Sequence, residues 1–108
     1  MSEALTHDVY QAIADPSRRK MMELLAKRDA SIKEISEHFS FSRTAVVKHL
    51  LVLSEAELVS HHKSGREKIY SLQPAQLLEI KEWISYFEQF WDNKLSMLTH
   101  MVENKEDY

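Results

Sequence analysis

The 108-residue sequence predicts a mainly α-helical fold with one β-hairpin. With 44% hydrophobic and 29% charged residues, the composition is that of a globular protein rather than a disordered one. The single glycine and two prolines leave few positions that interrupt a helix. Apolar residues recur at helical spacing over most of the chain and alternate only near residues 58–72. We therefore expect one domain, residues 1–108, with about five helices.

The first two helices are predicted on either side of a proline. Leu5, Val9 and Ile13 are spaced as on one side of a helix. This helix is expected to end near Asp15, because the residue before a proline avoids helical geometry. Asp15 can cap the second helix, and Pro16 suits its first position.

A helix, a tight turn and a second helix are predicted over about residues 31–56. Ser31 and Glu34 form the S-x-x-E pattern of a capping box, which opens the first of these helices. Ser40-Phe41 is the predicted turn, and Ser42 can cap the helix that follows. This arrangement is typical of proteins that place the second helix in the major groove of DNA.

The helix predicted over residues 42–53 has two unlike sides. The side that suits a core carries Ala45, Val46, Leu50 and Leu53. The first turns of the other side carry Ser42, Arg43, Thr44, Val47, Lys48 and His49. Arginine and lysine can donate to guanine, a hydroxyl can bond a base or a phosphate, and a short apolar side chain can contact a thymine methyl. These six residues are the predicted DNA-binding set, in which His49 either reads a base or docks the helix through backbone or phosphate.

Residues 58–72 alternate between apolar and polar side chains on both sides of Ser64-Gly65, which predicts a two-stranded ribbon. Lys63 and Arg66 lie at its tip, beside the only glycine of the chain. A basic tip next to a helix-turn-helix suits contact with DNA phosphates or the minor groove, as in the wing of a winged helix. The alternative is an ordinary hairpin with a soluble tip.

The last helix is predicted over about residues 74–102, beginning at Pro74. It carries more apolar surface than a small core can cover, so part of it is expected to pair with a second copy of the chain. The predicted dimer interface consists of Leu5, Val9, Trp83, Phe87, Trp91, Leu95 and Leu98. A pocket for an aromatic ligand is the alternative use of these aromatic side chains.

The charges are unevenly distributed along a chain whose formal net charge is −3. Residues 42–68 contain five lysines and arginines against three acids, whereas residues 77–108 contain seven acids against three lysines. This division suits a protein with one DNA-binding face and an acidic far side. Ordinary solvated helix faces would produce a similar pattern.

Several classes of protein are disfavoured by what the sequence lacks. The absence of cysteine removes disulfides and thiolate metal sites. No apolar run reaches the ~20 residues that span a bilayer, and the first residues do not read as a signal peptide, so a cytoplasmic location is expected. No glycine-rich phosphate loop, nucleophile elbow or metal-hydrolase histidine pair is present, so no enzyme activity and no cofactor are predicted.

Five segments of the sequence together resemble the ArsR family of bacterial winged-helix repressors. They are Asp15-Pro16-Ser17-Arg18-Arg19, residues 42–53, residues 55–59, Gly65-Arg66 and Tyr70-Ser71-Leu72. The resemblance implies a homodimeric transcriptional repressor whose dimer is built from the first and last helices. It also implies that an inducer, which the sequence does not identify, relieves binding to the operator. By the same likeness the residues on the DNA-reading helix are Ser42, Arg43, Thr44, Val47, Lys48 and His49, and those on the wing are Lys63 and Arg66.

The metal sites of many members of this family are not matched here. The helix corresponding to residues 31–39 has no cysteine pair. His100 and Glu103 match half of a second family site, but Phe87 and Gln89 occupy the positions of its other half. No metal site is therefore predicted, and the chain resembles the branch of the family without the usual metal ligands.

The leading functional prediction is specific binding of double-stranded DNA by a homodimer at an inverted-repeat operator. The recognition helix would enter the major groove, and the wing would contact the flanking backbone. The alternative is a winged-helix protein-interaction module without specific DNA binding, because a fold does not dictate a function.

Overall fold

The computed structural model of the protein describes residues 8–106, with their side chains up to Trp91. Five α-helices and three β-strands lie within this range. In chain order they are α1 (Val9–Ile13), α2 (Pro16–Lys27), β1 (Ala30–Ser31), α3 (Ile32–Ser36), α4 (Arg43–Glu55), β2 (Val59–Ser64), β3 (Glu67–Leu72) and α5 (Leu77–Glu106). The chain divides into two compact units, one ending at Leu78 and the other consisting of the remainder of α5 from Glu79 onward.

The first two helices begin at capping side chains. Asp8 Oδ1 accepts a hydrogen bond from the Gln11 backbone N–H at 2.8 Å, and Gln11 Oε1 accepts from the Asp8 N–H at 3.0 Å. This capping box starts α1 at Val9. Leu5, which was predicted to belong to the same helix and to the dimer interface, lies outside the described residues. Asp15 caps α2 as predicted, because its Oδ2 accepts from the Arg18 N–H at 3.1 Å.

The predicted helix, turn and helix is formed by α3 and α4. Ser31 Oγ accepts from the Glu34 N–H at 3.1 Å, while Glu34 Oε1 accepts from the Ser31 N–H at 2.8 Å. Ser42 Oγ accepts from the Ala45 N–H at 3.2 Å and so caps α4. Both caps satisfy backbone donors that have no partner inside the helix.

The sheet has one more strand than the sequence predicted. Strands β2 and β3 form the expected hairpin, with Val59 opposite Leu72 and Ser64 opposite Glu67. On its other side β3 pairs with β1, in the strand order β1-β3-β2. A strand of two residues is too short to show an alternating pattern, and only its partner in the folded chain defines it.

The core of the first unit is assembled around one side of α4. Its largest fully buried side chains are Met21, Ile35, Val46, Leu50, Leu53 and Leu58. Ala45, which was predicted to belong to the same stripe, is only half-buried. Val9, which was predicted to lie in a dimer interface, is 4% exposed and belongs to the buried core of the chain.

The predicted start of the last helix also differs from the structure. Pro74–Gln76 form a 3₁₀ turn, and the α-helix begins at Leu77. Gln73 makes no side-chain cap at this turn. Proline suits the first position of either kind of helix, so the sequence did not distinguish them.

Helix α4 ends in a Schellman motif in which a glutamate occupies the position usually taken by glycine. The Glu57 N–H donates to Ser54 O and the Leu58 N–H donates to Leu53 O, both at 2.9 Å. This geometry puts Glu57 at φ 62°, in the left-handed region that residues with a Cβ adopt at a cost. Leu53 and Leu58, which flank this turn, are fully buried.

Replacing Glu57 with glycine is therefore expected to stabilise the protein. Relief of the left-handed strain should exceed the added entropy of the unfolded chain and leave a net gain of about 0.5–1 kcal/mol. The measurement is the free energy of unfolding by denaturant titration. Glu57→Ala is the matched control, since it also loses the 3.2 Å bond from Gln76 Nε2 to Glu57 Oε1 but keeps a Cβ. A glycine variant no more stable than the alanine variant would contradict the expectation.

The capping box of α3 is expected to make stability depend on pH in the acid range. The hydrogen bond from the Ser31 backbone N–H lowers the pKa of Glu34 below its ordinary value of 4.5, helped by the Ser31 hydroxyl and by Arg28. A carboxyl whose pKa is lower in the folded state stabilises the fold above the unfolded pKa, and this contribution is lost as the pH falls through the folded pKa.

Glu34→Gln should accordingly reduce the melting temperature near pH 7, and this effect should shrink as the pH falls through the lowered pKa of Glu34 and the wild-type carboxyl takes up a proton. Melting curves between pH 7 and pH 3 measure this difference. Glu37→Gln removes a carboxylate of the same segment that lies outside the capping box, and serves as the control. A wild-type advantage that does not shrink as the medium is made more acidic would show that the Glu34 charge does not contribute.

Candidate nucleic-acid interface

The amino-terminal half of α4 presents a polar side to solvent. Ser42, Arg43, Thr44, Val47 and Lys48 are exposed, and His49 is half-buried. Val47 is 41% exposed, which is unusual for a β-branched apolar residue but suits contact with a thymine methyl group. Ser42 Oγ accepts the capping hydrogen bond, so the Ser42 hydroxyl hydrogen is free to donate to a ligand.

The hairpin brings basic residues together at its tip. Gly65 and Arg66 form the two-residue loop between β2 and β3, and Gly65 has the positive φ of 65° that such a loop requires at its first position. Lys63 lies directly opposite Lys68 across the two strands. Like charges in this arrangement repel each other, so an anion between or beside them would be stabilising.

A hollow of about 370 Å³ lies between the helix-turn-helix and the hairpin. It is lined by Ser31, Ile32 and Lys33 at the start of α3, by Arg43 and Val47 of α4, and by Arg66, Glu67 and Lys68 of the hairpin. Its lining carries four cationic side chains and one carboxylate. Three of the predicted DNA-binding residues, Arg43, Val47 and Arg66, therefore meet at the same concave surface, and its charge suits a phosphate.

Lys33 and Lys68 were missed by the sequence analysis. The place of Lys68 could have been inferred, since a hairpin that turns at Gly65-Arg66 pairs it with Lys63. No pattern in the sequence locates Lys33. Its place beside the hairpin depends on the pairing of β1 with β3, which brings the start of α3 against the sheet.

His49 is held by contacts within the protein. Its Nδ1 lies 3.2 Å from Nη1 of Arg18, and its ring lies 5.5 Å from that of Phe41. An arginine guanidinium only donates, so Nδ1 must accept and Nε2 carries the ring hydrogen. Of the two uses predicted for His49, this contact supports docking of the helix, here through another side chain.

Two further histidines, His61 and His62, lie on strand β2 of the hairpin. The His61 ring packs against Tyr70, its cross-strand partner, with the centroids 5.1 Å apart. Burial raises the pKa of Tyr70, so its hydroxyl is neutral at physiological pH. Among the described residues, no three histidine, aspartate or glutamate side chains are grouped so as to hold a metal ion.

The described part of α5 carries a continuous exposed aromatic surface. Trp83, Tyr86, Phe90 and Trp91 are 43–62% exposed. Phe87 is half-buried among them, with its ring 5.2 Å from Trp83 and 5.0 Å from Tyr86, both edge to face. The predicted interface residues Leu95 and Leu98 have side chains outside the described set. No helix in the described chain combines the length and apolar character needed to cross a bilayer.

Comparison with known proteins agrees with this arrangement. Residues 15–61 match the family described as "Bacterial regulatory protein, arsR family". The chain is 37% identical over 89 residues to the transcriptional repressor SdpR of Bacillus subtilis, covering 82% of this chain and 99% of that protein. It is 31% identical over 98 residues to the HTH-type transcriptional regulator Rv2034 of Mycobacterium tuberculosis, covering 91% and 89% of the two chains.

The solved structure of a possible transcriptional regulator for arsenical resistance has the same fold. It superposes with a TM-score of 0.65 at 35% identity, covering 82% of this chain and 88% of the other. The predicted winged helix-turn-helix fold is confirmed, and the relatives are regulators of transcription rather than enzymes. The chain belongs to the ArsR family of bacterial regulatory proteins.

Proposed function

We propose that this protein represses transcription as a homodimer that binds an inverted-repeat operator in the bacterial cytoplasm. The observation that carries the proposal is the exposed polar start of α4 beside a hollow lined by four cations. A helix of this kind can read base edges while the neighbouring cations hold the phosphates that flank them. The 37% identity to a protein named as a transcriptional repressor supports the direction of the regulation.

The residues divide into two roles in this proposal. Arg43, Thr44, Val47 and Lys48 face the major groove, where base edges differ in their donors and acceptors. Lys33, Lys63, Arg66 and Lys68 contact phosphates on either side of that groove and set the position of α4. Arg43 lines the hollow together with Lys33, Arg66 and Lys68. Phosphate contacts of those neighbouring cations would hold α4 in place while Arg43 bonds a base edge.

The net charge of −3 is compatible with this function because the cations are local. Affinity for DNA depends on how many phosphates are neutralised at the interface rather than on the sum over the chain. The hollow and the hairpin tip place Lys33, Arg43, Lys63, Arg66 and Lys68 on neighbouring surfaces of α3, α4 and the wing.

Dimerisation is proposed to use the aromatic surface of α5. An exposed apolar patch of several large side chains is typical of a protein interface. Trp83, Phe87 and Trp91 are spaced four residues apart and so lie along one side of the helix. A symmetric pair would present two copies of α4 to successive major grooves, ~34 Å apart, which requires an inverted repeat.

Arg43→Ala is expected to reduce specific binding by about 1–3 kcal/mol while changing binding to random DNA much less, because a base contact is lost. The selected duplex is obtained by enriching the wild-type protein's preferred sequence from a random pool. Fluorescence anisotropy then measures dissociation constants on the selected and a random duplex at several salt concentrations. Equal losses on both duplexes would contradict a base-reading role for Arg43.

Lys63→Ala and Lys68→Ala, measured in the same titrations, should weaken binding to both duplexes alike. Each is expected to reduce the slope of log affinity against log salt by about 0.9, the effect of losing one phosphate contact. If the wild-type protein enriches no preferred sequence from the random pool, the repressor function itself is contradicted and the protein-interaction module is favoured.

Trp91→Glu is expected to raise the dissociation constant of the dimer at least ~30-fold, because it replaces an aromatic anchor with a charge that the interface must bury. Sedimentation velocity over a concentration series measures the change. Ser85→Glu introduces the same charge at an exposed position on the side of the helix opposite the aromatic surface, and should leave the dimer intact. Equal weakening by both substitutions would argue against this surface as the interface.

A further inference from the structure

Arg18 connects the recognition helix to α1. Its Nε donates to Ala12 O at 2.7 Å and its Nη2 donates to Gln11 O at 3.0 Å. Its remaining terminal nitrogen, Nη1, lies 3.2 Å from Nδ1 of His49. One guanidinium, half-buried in the first unit, therefore bridges the last turn of α1 and the middle of α4.

The geometry of this bridge is rigid. The guanidinium is planar and its donors point in fixed directions, so two bonds to carbonyl oxygens of α1 determine where the third donor points. The backbone N–H of Arg18 is itself bonded to the Asp15 cap of α2, at 3.1 Å. The backbone N–H and the guanidinium of Arg18 are thus each held by hydrogen bonds other than the one to His49.

His49 is held from a second direction by aromatic rings. Its ring lies 5.5 Å from that of Phe41, in the turn before α4, and Phe41 stacks on Phe39 at 5.0 Å. The ammonium of Lys20, on α2, lies 5.4 Å from the centre of the Phe39 ring. These contacts hold the His49 ring from two directions, so a bond from Arg18 to His49 also constrains the rotation of α4.

We propose that Arg18 is a positioning residue for DNA recognition, which sets the orientation of α4 through His49 without contacting DNA itself. By donating to Nδ1, it also selects the tautomer in which Nε2 of His49 is a donor, suited to a phosphate oxygen or a guanine acceptor. This inference rests on the proposed DNA-binding function.

The neighbouring arginine provides a matched control. Arg19 Nη1 donates to Ile13 O at 2.7 Å and to Ala14 O at 3.3 Å, so it also binds carbonyls at the end of α1. None of its hydrogen bonds within the described part of the chain reaches α4. Arg18→Met and Arg19→Met therefore both remove a cation and its bonds to α1, and only the first removes the bond to His49.

The test compares these two variants on the selected and random duplexes, with salt titrations and melting curves for each. Arg18→Met is expected to weaken binding to the selected duplex about three- to tenfold, the value of one hydrogen bond, with an unchanged salt slope. Arg19→Met should stay within about twofold of the wild type on both duplexes. A reduced salt slope, or equal loss on random DNA, would overturn the proposal by showing that Arg18 contacts phosphate.

A double-substitution cycle tests the route through His49. His49→Phe keeps a ring beside Phe41 and removes the acceptor, so adding Arg18→Met to it should cause no further loss. Fully additive losses would overturn the route. If Arg18→Met fails to fold, Arg18→Lys takes its place, since lysine keeps the charge but cannot bond α1 and His49 together.

The DNA-binding function and the positioning role of Arg18 would be refuted by different results. A wild-type protein that enriches no sequence refutes the DNA-binding function. If the wild-type protein enriches a preferred sequence but Arg18→Met and Arg19→Met bind it with the same affinity, only the positioning role of Arg18 is refuted.

Discussion

Val46, Leu50 and Leu53 of α4 are fully buried, and this burial determines which side of the helix meets solvent. Each such side chain contributes about 1.5–3 kcal/mol by leaving water, so turning the helix by one residue would expose apolar groups at a large cost. The exposed polar side chains at the start of α4 lie on the side of the helix that this buried stripe leaves open to solvent. The orientation of the candidate DNA-binding residues is thus a consequence of core packing.

The position of the hairpin depends on two local features around the same helix. The Schellman motif at the end of α4 turns the chain through Glu57, with Leu53 and Leu58 buried on its two sides. The pairing of β1 with β3 then ties the hairpin to the start of α3. Together these features bring Lys33, Arg43 and Lys68, which are distant in sequence, to one hollow.

Much of the fold could be predicted because its signals are local. Helix caps at Asp15, Ser31 and Ser42 act within three residues, and the hairpin is marked by alternation around a glycine. The strand β1, the burial of Val9 and the bond from Arg18 to His49 could not be predicted. Each depends on a partner that lies far along the chain or on how closely the elements pack.

The sequence by itself determined the helices and the hairpin of this protein and the residue types that face DNA in the proposal, since periodicity, capping and charge are properties of neighbouring residues. Only the tertiary structure decided which cations share a surface, and that His49 is bonded to Arg18 rather than simply exposed. These facts depend on distances between separate elements, which arise when apolar side chains from all of them are buried together.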